Sequence, residues 1–124
     1  MAVRGIRGAI TVAANEGTLI LEATERLIRQ MIAANEVEAD DVASVIITVT
    51  NDLNAVFPAR GARAIPGFDL VPLMCSNEIP VPGSLEKCIR VMMLVNTEKA
   101  SRDVHHVFLE GATVLRPDLN PHVK

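Results

Sequence analysis

At 124 residues the chain has the length of one domain, 1–124, with room for a modest core and none for a separate regulatory unit. A net charge of −3 and a pI near 5.6 argue against nucleic acid or an anionic membrane surface as partner. Two cysteines, Cys75 and Cys88, are too few and too far apart for a disulfide framework or a zinc knuckle, and they fit a reducing cytoplasm.

Hydrophobic residues make up 49% of the chain, with no Trp or Tyr and three Phe, so the core is aliphatic. For so short a chain this is apolar, and part of the surface is expected to be covered by another copy. Nine of the twelve basic residues are arginine. Arginine grips planar carboxylates through paired hydrogen bonds, which suggests a small acid as ligand rather than a polyanion. The N-terminus lacks an apolar core of signal-peptide length, and no segment is long enough to span a bilayer.

Val3 to Val12 reads as a strand interrupted by glycines, with Arg7 between Gly5 and Gly8, which mark either a bulge or a place where a ligand approaches the backbone. From Thr18 to Ala34 the period becomes helical: Ile20, Ala23, Leu27 and Met31 form an apolar stripe opposite the i,i+4 pairs Glu22–Arg26 and Glu25–Arg29. Asn35 is the expected left-handed stop. Val45 to Thr50 is a β-branched run that reads as a buried strand. Asn51 to Asn54 is turn chemistry, and Pro58 opens a short helix, Pro58 to Ala64, that carries Arg60 and Arg63.

Phe68 to Met74 reads as a further strand, with Pro72 indicating an edge or bulge, and Cys75 to Glu78 as a polar loop stiffened by Pro80 and Pro82. Lys87 to Val95 follows as the central strand. Cys88, Arg90, Met92 and Leu94 share one face, and Ile89, Val91, Met93 and Val95 the other; both look buried. A guanidinium among such neighbours needs an anionic partner or a wet cleft. The run alone leaves two readings open, a structural ion pair or edge position and an anion-binding site. Farther on, His106–Leu109 and Ala112–Leu115 read as a hairpin across Glu110-Gly111, ahead of a tail mobile from about 117. His105 and His106 face opposite sides of a strand and His122 lies in the tail, so no metal site is expected.

Several short motifs occur in matching order along nearly the whole chain: Arg4-Gly5-Ile6-Arg7-Gly8-Ala9, Ala55-Val56-Phe57-Pro58-Ala59, Lys87-Cys88-Ile89-Arg90-Val91-Met92-Met93, His106-Val107-Phe108-Leu109 and Val114-Leu115-Arg116-Pro117-Asp118-Leu119. Together they resemble the monofunctional chorismate mutases of the trimeric pseudo-α/β-barrel class. The resemblance implies an α+β fold, a mixed β-sheet with helices on its outside, in a homotrimer whose active sites lie in clefts between subunits. It implies the rearrangement of chorismate to prephenate, on the route to phenylalanine and tyrosine, without a cofactor. Arg90 would then face the ether oxygen of the breaking bond and Arg7 a substrate carboxylate, while Glu78 and Cys75 would meet the ring hydroxyl. Phe57 and Leu115 would supply apolar walls, Met74 would join the substrate-binding set, and Arg60, Arg63 and Arg116 would stand near the mouth. Phe108 occupies a position that typically carries tyrosine, and Arg60 one where lysine is common.

The chemistry suits what the residues offer. A sigmatropic rearrangement breaks a carbon–oxygen bond and makes a carbon–carbon bond with no proton transfer, so it asks for held conformation and a preorganised cation rather than a nucleophile, base or metal. Two other readings use the same arginines: a non-catalytic small-acid-binding trimer, and an imine-hydrolysing deaminase of a small trimeric fold. The deaminase additionally needs a positioned water and an acid, for which the sequence offers no strong candidate.

Overall fold

A computed structural model describes residues 1–115. Its strands are β1 (Ala2–Thr11), β2 (Val42–Val49), β3 (Leu73–Asn77), β4 (Cys88–Thr97) and β5 (Val107–Leu109); its α-helices are α1 (Gly17–Asn35) and the short α2 (Ala59–Arg63). The strands form one mixed sheet in the order β3-β2-β4-β1-β5. β4 is antiparallel to both β1 and β2, whereas β3 joins β2 and β5 joins β1 in parallel.

The helix forms where its apolar stripe predicts, and Ile20, Ala23, Leu27, Ile28 and Met31 are buried. They pack on Ile6 and Ile10 of β1, Val45 and Ile47 of β2, and Ile89, Val91, Met93 and Val95 of β4. Each such side chain removed from water stabilises the fold by roughly 1.5–3 kcal/mol before entropy is counted. The contact between layers is close at Gly8, where a Cβ would come within 2.4 Å of Met31 Sδ. On the α1 side, the room at this glycine is therefore taken by Met31, while on the other face of the sheet Gly8 borders a cleft beside Arg7. Gly61 plays the same part for α2: a Cβ there would stand 2.5 Å from the carbonyl oxygen of Leu21.

Several local expectations change in the folded chain. The left-handed stop of α1 is Glu36, at φ 55°, not Asn35. Asn35 is buried; its amide donates to the carbonyls of Met31 (2.9 Å) and His105 (2.8 Å) and accepts from the His105 N–H, tying the helix to the segment before β5. Glu25 and Arg29 pair at 2.8 Å as expected, but Arg26 turns to Glu110 at 2.8 Å rather than to Glu22.

Phe68–Leu70 is a 3-10 turn with Phe68 in the core, and the strand begins only at Leu73, after Pro72, which has no N–H to donate. β3 lies at an edge of the sheet, as Pro72 indicated. The expected hairpin is absent. Glu110, at φ 53°, turns the chain from β5 into a 3-10 segment, Glu110–Val114, while the Gly111 N–H donates to Thr11 Oγ1 at 2.8 Å.

The largest correction concerns β4. Ile89, Val91, Met93 and Val95 are buried under α1, but on the opposite face Arg90 is exposed, Met92 37% exposed and Leu94 half-buried. Both helices lie on the other side of the sheet. The second face is bare over its middle, where Met74 is 70% and Ile46 42% exposed.

Candidate active site

Residues directly opposite in neighbouring strands share a face of the sheet, so the register decides which side chains meet. Thr48 of β2 is opposite Arg90 of β4, Arg90 opposite Ala9 of β1, and Ala9 opposite Phe108 of β5. In the adjacent row Met74, Ile46, Met92 and Arg7 lie side by side. Both rows belong to the face that α1 leaves bare. Over them opens a cleft of about 310 Å³ lined by Arg7, Thr48, Glu78, Arg90, Met92 and Phe108, among others.

Two arginines on neighbouring strands of a rigid sheet thus border one cleft. Arg90 Nη1 stands 3.6 Å from Glu78 Oε1, with the arginine's side chain 44% and the glutamate's 27% exposed. The other oxygen of Glu78 accepts a hydrogen bond from Thr48 Oγ1, and its N–H donates to the Val49 carbonyl at 2.9 Å. A half-exposed ion pair at that separation contributes about 0–1 kcal/mol, so Arg90 can exchange it for an anionic ligand at little cost. The Arg7 N–H donates to His106 Nδ1 at 2.9 Å, which fixes β1 beside the start of β5.

Cys88 lies under the same face in a small cluster with Ala9, Phe108 and Ala112, against which Leu85 and Leu115 pack. Burial pushes its thiol pKa up to about 11; Arg90 opposes the shift, and Glu78 and Asp52 add to it. It stays protonated near neutral pH and is no nucleophile. Among the described residues no group of three or more His, Cys, Asp or Glu gathers as a metal site.

The remaining residues singled out in the sequence do not join this cleft. Phe57, Arg60 and Cys75 line a second hollow of about 500 Å³ together with Ala55, Val56 and Asn77, and the two hollows share no lining residue. Arg63 is exposed on α2 beside Arg60, Met74 stands on the bare face, and Leu115 lies behind Phe108. Arg116 and the expected mobile tail lie outside the described residues.

Thr48 was not singled out, although the pattern carries a signal. Val45, Ile47 and Val49 are uniformly aliphatic, whereas Ser44, Ile46 and Thr48 on the alternate face mix polar with apolar.

Residues 3–119 match the family described as chorismate mutase type I. Chorismate mutase AroH of Bacillus subtilis (strain 168) is 44% identical over 120 residues, which are 97% of this chain and 94% of that protein. Chorismate mutase AroH of Thermus thermophilus is 49% identical over 118 residues, 94% and 96% of the respective lengths. The solved structure of a chorismate mutase from Clostridium thermocellum, 54% identical, superposes with a TM-score of 0.87 over 90% of this chain and 98% of its own. With a family match over nearly its whole length and relatives this similar, the chain belongs to the chorismate mutase type I family.

Proposed function

We propose that the chain acts as an isomerase of aromatic amino acid biosynthesis, converting chorismate to prephenate within its one domain. The observation that carries this reading is the Arg90 guanidinium, half-exposed on a rigid strand and only loosely paired, beside Arg7 in one cleft. Negative charge grows on the ether oxygen as its bond to carbon breaks, and a fixed cation there stabilises the transition state more than the ground state. Arg7 holds a carboxylate, Glu78 accepts from the ring hydroxyl, Phe108 borders the cleft beside Arg7, and Phe57 and Leu115 supply apolar walls in the assembled site. Removing one preorganised donor of this kind costs about 3–4 kcal/mol of barrier, so Arg90 accounts for a large share of the rate.

The working site, in this reading, needs a second copy of the chain. The arginine cleft is open, the bare face exposes Met74 (70%), Ile46 (42%) and Met92 (37%), and Phe57 is 72% exposed at the other hollow. A homotrimer that sets one copy's Phe57, Arg60, Arg63, Met74 and Cys75 against the next copy's Arg7, Glu78, Arg90, Phe108 and Leu115 covers these apolar surfaces and encloses the substrate. Both cysteines are free thiols, which suits the cytoplasm. Among the described residues no helix is long and apolar enough to cross a membrane. The test is the loss of chorismate, with formation of prephenate, on addition of pure protein. Protein that binds chorismate without turnover would instead make this a small-acid-binding assembly.

A further inference from the structure

Arg90 faces a difficulty that its neighbourhood resolves. A carboxylate beside a guanidinium ordinarily closes on it with both oxygens, N–O about 2.7–2.9 Å, and such a pair would cover the fork that the substrate must reach. Glu78 does not close in this way. Oε1 stands 3.6 Å from Arg90 Nη1, beyond hydrogen-bond distance, while Oε2 accepts a hydrogen bond from Thr48 Oγ1.

The sheet register explains why Thr48 is available. It lies directly opposite Arg90 across β2–β4 on the same face, half-buried and bordering the same cleft, one residue before Val49. The Val49 carbonyl in turn accepts the Glu78 N–H at 2.9 Å, so the glutamate is anchored to the same stretch of β2 by its backbone and by its side chain.

We propose that Thr48 is a positioning residue for the rearrangement: its hydroxyl holds one oxygen of Glu78 away from Arg90, which keeps the guanidinium open to the ether oxygen and presents the other carboxylate oxygen to the substrate's hydroxyl. This rests on the reading of the cleft as a chorismate site. Thr48 touches neither reacting atom. It acts through Glu78, and loss of its hydroxyl lets the carboxylate close on Arg90 and cover the fork that the ether oxygen needs in the transition state.

The test compares Thr48→Val, which keeps the shape and removes the hydroxyl, with Thr48→Ser, which keeps the hydroxyl and removes the methyl. Steady-state chorismate kinetics and thermal stability are measured for both variants and for the wild type. Thr48→Val is expected to lower kcat/KM about tenfold, the gain of one hydrogen bond to a charged group, with most of the loss in kcat. Thr48→Ser is expected to stay within about twofold of the wild type. A purely structural role predicts the opposite rescue, because packing depends on the methyl that serine lacks. Unchanged kinetics in Thr48→Val, or equal losses in both variants, would overturn the proposal. If the valine variant does not fold, Thr48→Ala removes the same hydroxyl and is read in its place. A wild type without chorismate turnover overturns the functional reading itself, which separates the two failures.

Discussion

Arg90 and Glu78 meet across 3.6 Å from two different segments, the arginine from near the start of β4 and the glutamate from just beyond β3. The pair neutralises the cation without enclosing it. Arg90 stays 44% exposed, so the proposed ligand would meet a guanidinium that the fold has not enclosed.

Arg90→Ala is therefore expected to cost turnover rather than stability. The contact strengthens as charge develops, so kcat should fall by about 100-fold or more with a smaller change in KM. Lysine should restore only part of the loss, because it lacks the fixed fork. Steady-state kinetics decide the point, and a change confined to KM would assign Arg90 to uniform substrate binding.

At saturating substrate, kcat should vary little between about pH 6 and 9. In the proposed rearrangement no step transfers a proton to the protein, and Cys88, pushed up to about 11 chiefly by burial, keeps its proton throughout. A bell-shaped profile would favour a hydrolytic mechanism with an acid and a base.

Phe108 both borders the arginine cleft and belongs to the small cluster with Ala9, Cys88 and Ala112, at 5% exposure. Phe108→Tyr is expected to direct its added hydroxyl into the cleft beside Arg7 and to lower KM several-fold with little change in kcat. A hydrogen bond to a charged carboxylate is worth at most about 1.5–3 kcal/mol, and in the proposed site Arg7 already serves the same group. Loss of thermal stability with an unchanged or higher KM would show that the hydroxyl points into the cluster and that Phe108 is only packing.

Asp52 fastens the entry to β4. Its carboxylate accepts the Lys87 N–H at 2.9 Å and the Thr50 hydroxyl, and Lys87 takes the left-handed φ of 50° just before the strand. Burial raises the Asp52 pKa, but these hydrogen bonds outweigh it and the net shift is downward. A carboxyl stabilised in its charged form contributes stability that is complete above its unfolded pKa of about 3.9 and is lost as pH falls through the lower folded value. Asp52→Asn should thus melt roughly 1–3 °C below wild type at neutral pH, with the gap closing below about pH 4. Thermal scans at both ends of that range check it; a constant gap would remove the charge from the explanation.

A trimer is expected by light scattering. Arg90→Ala mixed and reassembled with Arg60→Ala/Arg63→Ala should regain activity at interfaces that unite the two intact halves. Sites built within one chain would give no such recovery.

Local pattern was enough for α1, whose stripe of Ile20, Ala23, Leu27 and Met31 is buried as its period requires, and for the alternation along β4 that set Arg90 apart from Val91 and Met93. Period and burial are properties of neighbours in sequence, so the chain carries them openly. The motifs around Arg7, Phe57, Arg90 and Phe108 likewise carried the family. Only the tertiary structure decided that one face of β4 is bare, that Met31 fills the space at Gly8, that β5 lies parallel beside β1, and that Thr48 and Glu78 converge on Arg90. Each of these depends on register between segments far apart in the chain, such as Arg7 with His106 or Thr48 with Glu78. A slip of one residue would turn every side chain of a strand to the other face, and which register wins is set by the packing of the whole sheet against α1 rather than by any stretch read alone.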